Sequence, residues 1–578
     1  MASVPKRAPN FQAVHSIIIC VFVIILIPFV SSSDSAVARA SPATNTVAKQ
    51  SEAATLLKWK ASLDNQSQSL LSSWNQSSHC TWVGIGCNEA TKVTNLTLDS
   101  IGLRGTLSSL NFSSLPHLVK LDLSNNLIYG TIPSPIGSLS RLASLNVSIN
   151  HLSGTIPRDI GMLRSLVDLD LSTNNLTGSI PTSIGNLRNL TTLYLYENSL
   201  SGSIPQEVGM LKSLTDLDLS TNNLTGSISA SIGNLRNLTK LILLENSLSG
   251  SIPQEVEMLT SLTILVLYKN NLTGSIPASI GNLRNLTTLY LYENFLSGSI
   301  PQEVGMLKSL TDLDFSTNNL TGSIPASIGN LRNLTKLILH KNSLSGSIPQ
   351  EVGMLTSLTI LVLYKNNLTG SIPASIGNLR NLTTLYLYEN FLSGSIPQEV
   401  GMLKSLTDLE LESNNLRGLI PASIGNLRNL TVLYLFENSL SGSIPQEANH
   451  EKKESLLVVW SKILGLSHLV DLPQRPLESP PMNIGITTYE QLLSHSCLRA
   501  IDEAEDEWSQ HNTKKLIDTS VKGLSGSVPK DFPYVHVEFG LNKGFVHVID
   551  DEKQFKANFG LKCYKGRAGV AGRGHLWS

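Results

Sequence analysis

Hydrophobic and polar positions repeat along most of the chain with a period of 24 residues, and this period decides the fold. Asparagines recur at that spacing from Asn126 through Asn150, Asn174 and Asn198 to Asn438. Around each runs Leu-x-x-Leu-x-Leu-x-x-Asn-x-Leu-x-Gly-x-Ile-Pro, as in Leu190, Leu193, Leu195, Asn198, Leu200, Gly202, Ile204 and Pro205. Leu193 and Leu195 lie two positions apart, so on a short strand they share the core face while Tyr194 and Tyr196 point away. Asn198 follows where the chain turns inward, and a buried amide there can bond backbone groups that the turn leaves unpaired. Gly202 and Pro205 punctuate the return path, and an Ile-Gly-x-Leu segment such as that of Ile184 and Leu187 fits a short helical turn. One unit cannot bury its leucines alone, whereas stacked neighbours can. The predicted fold is an α/β solenoid: a right-handed superhelix of such coils with a parallel β-sheet on its concave face, plus a small separate α+β C-terminal segment.

Two departures interrupt the frame, Ser229 where Pro is expected and Glu257 where Gly is usual, and both predict local softening without loss of fold. Blocks of four coils were copied, because the stretch from Ser275 to Leu313 recurs from Ser371 to Leu409. At the amino end, Lys6 and Arg7 precede an apolar run from Ile17 to Val30 and then small residues, which is a signal-peptide layout over 1–40. The run is short for a bilayer span, and an uncleaved anchor stays open as the alternative. Formal net charge is -1 with 15% charged residues, so no global field favours nucleic acid or an acidic membrane. Cys80 and Cys87 form a close pair that an oxidising compartment would join, whereas Cys497 and Cys563 lie in a tail foreign to the rest.

The Leu-x-Gly-x-Ile-Pro frame resembles the plant-specific class of extracellular leucine-rich repeats over roughly residues 52 to 446. Upstream, Glu52 to Leu63, Trp74 and the Trp82-containing loop from Cys80 to Cys87 resemble the amino-terminal cap of plant receptor-like kinases, in which a helix and a disulfide cover the first repeat. Cap and frame together resemble receptor-like kinases that perceive peptides at the cell surface. The resemblance implies a cap over 41–92 and about 15 repeats over 93–446. It also implies a secreted or plasma-membrane-facing protein that binds an extracellular peptide or protein, with a membrane co-receptor kinase as a further partner. Gly-x-Gly-x-x-Gly, Val-Ala-Ile-Lys, His-Arg-Asp and Asp-Phe-Gly motifs are absent, so neither kinase activity nor any other catalysis is expected, and no cofactor or metal. A secreted inhibitor of a cell-wall-degrading enzyme is the second expectation.

Ligand contacts are expected on the outward strand positions, which form columns across the sheet. The candidates are Asp168, Asp170, Tyr194, Tyr196, Asp216, Asp218, Lys240, Tyr268, Tyr290, Tyr292, Asp312, Asp314, Lys336, His340, Tyr364, Tyr386 and Tyr388. Tyrosine, isoleucine and valine interleaved with fixed charges suit an extended peptide or a protein loop. The bland alternative is that copied blocks carry copied residues and most rungs touch nothing. Some receptors of the resembled class hold a peptide's free carboxylate with an Arg-x-Arg pair on one strand, and no such pair stands in these columns.

Sixteen Asn-x-Ser/Thr sequons suit a glycosylated surface: Asn65, Asn75, Asn95, Asn111, Asn146, Asn175, Asn189, Asn223, Asn237, Asn271, Asn285, Asn319, Asn333, Asn367, Asn381 and Asn429. The series containing Asn175 and the series containing Asn189 each recur every 48 residues and stay out of the outward columns; Asn146 is expected inside one.

After Pro445 the repeat stops. Residues 447–498 read as a Pro-containing linker in which 456 to 470 could cover the last repeat. Residues 499–562 read differently, with a charged helical stretch from Ala500 to Trp508 and alternation like two strands from Pro533 to Val548. Lys530 to Gly540, with Gly544 to Asp550, resembles the second carboxy-terminal domain of the CwfJ splicing-associated family. That family pairs the domain with a histidine-triad relative, and no His-x-His-x-His motif is present, so His536 and His547 are expected to be ordinary strand residues. The tail, with a disordered end over 563–578, is expected to be independent of the solenoid; an RNA-processing role through it is the third expectation.

Overall fold

The structure, a computed structural model, describes residues 51–75 and 78–442, together with the backbone of 457–458, 534–540 and 543–549. The signal segment, most of the linker, Cys20, Cys497, Cys563 and the 563–578 end lie outside the described residues.

Each coil opens with a three-residue strand, such as Asp168–Asp170, Thr192–Tyr194, Asp216–Asp218 and Lys240–Ile242. The central leucines, Leu169, Leu193, Leu217 and Leu241, are at most 1% exposed. Because every coil has the same length, like positions pair across the sheet: Leu193 sits beside Leu169 and Leu217, and Tyr194 beside Asp170 and Asp218. The same one-coil offset runs from Lys120–Asp122 to Val432–Tyr434. Including its end strands, this sheet has seventeen strands.

Past the strand the chain enters a tight corner, where a non-glycine residue in every coil adopts φ of 50° to 52°, from Asn125 to Glu437. Ile149, Thr173, Thr221 and Thr317 do so despite β-branching, a conformation such side chains disfavour. Its partner contacts hold the corner: the backbone N–H of ladder residue Asn174 donates to the carbonyl of the next coil's corner residue, Glu197, at 3.1 Å. The ladder amide then closes the turn. Oδ1 of Asn270 accepts the Leu248 N–H at 2.9 Å, and Nδ2 lies 2.9, 3.2 and 3.3 Å from the carbonyls of Leu243, Leu267 and Tyr268.

Beyond the corner a second set of short strands pairs along the flank, for example Ser199–Ser203 with Asn223–Ser227. A 3₁₀ helix such as Thr182–Asn186 then returns the chain, burying Ile184 and Leu187 completely. Glycine is needed within it because a Cβ on Gly209 would lie 2.3 Å from the Ser231 carbonyl of the next coil. Glu257 breaks that rule, and the strain shows in its neighbours. The Ser279 Oγ to Gln254 carbonyl bond is 3.3 Å, where Ser327 and Ser375 make it at 2.7 Å. The Glu257 carboxylate partly compensates by accepting from Asn282 Nδ2 at 3.0 Å. At Ser229 the backbone keeps the proline-like φ of -66°, and its hydroxyl takes over as helix cap by accepting the Ser231 N–H at 3.3 Å.

The first coil is covered by α1 (Glu52–Ala61) and α2 (Asn65–Leu70), capped by the side chains of Ser51 and Asp64. Trp59, Trp74 and Trp82 pack in succession at 6.1 and 5.4 Å, and Trp59 Nε1 donates to the Thr106 carbonyl at 2.9 Å, tying cap to repeat. A disulfide joins Cys80 and Cys87. At the other end the Leu457–Val458 backbone adds a parallel strand beside Val432–Leu433; the remainder of 456–470 lies outside the described residues. Tyr534–Gly540 and Lys543–Ile549 form an antiparallel hairpin within the stretch expected to alternate. Among the described residues no helix is long and apolar enough to cross a membrane.

Candidate ligand-binding face

The outward positions fall into three columns, read from strand register. The first holds Asp168, Thr192, Asp216, Lys240, Ile264, Thr288, Asp312 and Lys336; the second holds Asp170, Tyr194, Asp218, Ile242, Val266, Tyr290, Asp314 and Ile338. The third lies two residues further on and includes Tyr196, Tyr268, Tyr292, His340, Tyr364 and Tyr388. All seventeen candidate residues stand in these columns.

Their availability differs. Most acidic rungs are engaged within the protein. Asp170, Asp218 and Asp314 each accept from the backbone N–H and hydroxyl of the serine two residues on, Ser172, Ser220 and Ser316, at 2.6 to 3.0 Å. Burial pushes the carboxyls of Asp218 and Asp314 above the ordinary range, against the lowering effect of those bonds. Asp216 and Asp312 pair with Lys240 and Lys336 of the following coil at 2.8 and 2.9 Å. These pairs raise both lysines through hydrogen bonding and charge. Asp168 is the exposed acid of the set.

The aromatic rungs form continuous surfaces. Tyr268 stacks on Tyr292 at 4.1 Å, and His340, Tyr364 and Tyr388 stack in series at 4.3 Å each. Burial holds His340 neutral, its imidazole lowered to about 3 with help from Lys341 and Lys365. The rings of Tyr194, Tyr290, Tyr292 and Tyr386 sit in surroundings that raise their phenols, burial first. Beyond Tyr388 the face closes. Glu410, flanked in its column by Tyr386 and Tyr434, is only 2% exposed, and burial plus the charges of Glu412 and Asp408 push it up to about 8. Tyr434 is 6% exposed and raised to about 12. Both residues stand in an outward column of the sheet, yet both are buried.

Sequence reasoning missed several features. A threonine hydroxyl ladder enters the sheet, with Thr215, Thr239, Thr263 and Thr287 each donating to the carbonyl of the previous coil's threonine at 2.9 to 3.0 Å. Its signal, a threonine every 24 residues, was in plain view. Phe295 and Phe391, 55% and 54% exposed, stand on the flank outside the columns. A 460 Å³ hollow beside Phe391 is lined by Asn342, Lys365, Asn367 and Glu389.

Fifteen sequon asparagines are exposed, and Asn146 is half-buried in the second column, its Oδ1 accepting from Ser148. Asn95 also enters a column, paired with Lys120, so Asn146 is not the sole exception. Among the described residues, the cluster with metal-ligand spacing, His79, Cys80 and Cys87, is closed by the disulfide.

Known proteins agree with this architecture. Residues 49–88 match the leucine rich repeat N-terminal domain family, 107–251 a leucine-rich repeat region, and seven successive stretches between 261 and 427 the leucine rich repeat itself. The chain belongs to the leucine-rich-repeat proteins. It is 40% identical to the plant peptide hormone receptor RGFR1, whose structure was solved in complex with RGF2, with a TM-score of 0.59 over 64% of this chain and 66% of that one. A probable leucine-rich repeat receptor-like protein kinase of Arabidopsis thaliana is 48% identical over 94 residues, 15% of this chain. Residues 507–566 match the family of proteins similar to CwfJ C-terminus 2, and human CWF19-like protein 2 is 44% identical over 79 residues, 14% of this chain. The matched segments span 8% of the length of each of these two curated relatives.

Proposed function

We propose that the outward sheet face recognises an extended extracellular peptide, with the stacked rings from Tyr268 to Tyr388 as anchors. One observation carries this: five aromatic rings stand in aligned stacks on a sheet face, where half-exposed apolar surface and few free charges favour a ligand over water. Similarity to a plant peptide hormone receptor supports it. The chain acts as a receptor-like binding module at the apoplastic side of the plasma membrane, glycosylated on its flanks, and a membrane co-receptor kinase is the partner that would relay binding.

The test is affinity capture by the secreted chain from extracellular fluid, followed by mass spectrometry. Small peptides are expected, retained by the native chain and lost by Tyr364→Ala. Capture of a glycoside hydrolase would transfer the face to enzyme inhibition, and capture of neither would abandon the reading. The match over 507–566 favours a second reading for the tail alone, a role in RNA processing; nuclear, unglycosylated protein in fractionated cells would support it, and exclusively extracellular protein would rule it out.

A further inference from the structure

The ring ladder of the third column lacks one rung. Tyr268 and Tyr292 stack with planes 11° apart, and His340, Tyr364 and Tyr388 with planes 16° and 7° apart. Both groups share one orientation. Tyr292 meets Tyr290 of its own coil at 6.2 Å and 60°, and Tyr388 meets Tyr386 at 6.3 Å and 56°. Since the strands between them run parallel in constant register, like geometry within each coil places the two stacks along one axis.

Ser316 stands between Tyr292 and His340. It is 2% exposed and its hydroxyl bonds Asp314 at 2.6 Å, so it forms a low floor and projects no ring. Two strand spacings, about 9.5 Å, separate the flanking rings. That is close to twice the ring-to-ring distance within the stacks, which is the room one flat ring needs. Other interruptions differ: Ser220 and Leu244 leave a gap of two rungs between Tyr196 and Tyr268, and Glu412 is a bulky side chain between Tyr388 and Phe436.

We propose that the ligand supplies the missing rung, an aromatic side chain of the bound peptide inserted between Tyr292 and His340 above Ser316. The inference rests on the peptide-binding reading and names the residue class that the face selects. An inserted ring gains two stacked faces at once, and the neutral imidazole offers its face without a competing charge. Aromatic residues are therefore preferred over aliphatic ones of similar size at this one ligand position.

The probe is N-acetyl-tyrosinamide, with N-acetyl-leucinamide as control, followed by saturation-transfer NMR on the secreted chain. Ring protons of the tyrosine amide should be saturated and the leucine amide should stay silent. Ser316→Tyr fills the rung from within and should weaken the tyrosine amide about tenfold or more. Tyrosine already occupies this position in the coils of Tyr268, Tyr292, Tyr364 and Tyr388, so the frame can hold it. Should a thermal melt show Ser316→Tyr misfolded, His340→Ala removes one wall and is expected to abolish the signal. Equal saturation of both amides, or a signal indifferent to whichever variant folds, would overturn the proposal.

A random displayed peptide library separates the two levels. Binders that need Tyr364 but lack an aromatic residue and tolerate Ser316→Tyr would sink the rung and leave peptide recognition standing. No binders, with an amide signal still sensitive to Ser316→Tyr, would support the slot and end the peptide reading.

Discussion

The two sides of a single strand obey different rules. On Thr288–Tyr290, Leu289 is fully buried and repeats as leucine in coil after coil, whereas its neighbours in register change from Ile264 and Val266 to Asp312 and Asp314. Inside, each leucine must fill the space left by the coil before it, and close packing admits little change. Outside, neighbours are met by single hydrogen bonds, ion pairs and ring stacks and not by close packing on all sides, so threonine, aspartate, lysine and tyrosine can alternate. Stability is thus written on one face of those three residues, and the proposed recognition on the other.

The largest expected effect falls on the inner side. Asn318→Ala strips the amide that accepts from Leu296 and lies 3.0 to 3.3 Å from the carbonyls of Leu291, Phe315 and Ser316. Leaving these buried groups unmatched should cost about 4 kcal/mol in denaturant unfolding; a cost under about 1 kcal/mol would break the contrast. Next, Leu289→Ala should cost about 3 kcal/mol through lost burial and a cavity. Tyr290→Ala on the same strand should cost about 1 kcal/mol, and equal values would erase the distinction.

Glu410 sharpens the comparison because it is an outward residue with an inward environment. Its folded carboxyl stays protonated up to about 8, while the unfolded chain releases that proton near 4.5. Between the two, the folded state binds more protons, so stability is full below 4.5 and falls as pH rises through 8. The loss should appear as a fall in melting temperature across that window, and Glu410→Gln should flatten it. The smallest effect is a gain: Glu257→Gly should remove a crowded Cβ and raise stability by about 0.5–1 kcal/mol, with the Ser279 to Gln254 bond shortening in a crystal structure.

Much of this was legible in the chain. A ladder of asparagines at fixed spacing, paired leucines and a helical turn around Ile184 specify the coil locally, since each depends on residues within one period. The caps that serines place on Asp170 and Asp218 and the pairing of Lys240 with Asp216 went unread, although spacings of two and 24 residues carried their signal; both lower the number of free charges on the face. The stacks could not be read the same way. Tyr268 and Tyr292 are one period apart on paper, as are Leu244 and Tyr268, and only ring orientation shows which neighbours touch.

The linear order of residues therefore settled the coil, its period, its buried leucines and its cap, because these follow from contacts within a coil or between identical neighbours. Folding in space settled which outward side chains remain open to a guest. Ring stacking arises from side chains in different coils brought within a few ångströms, and the burial of Glu410 and Tyr434 from their tertiary surroundings, where rotamer and burial count as much as residue type.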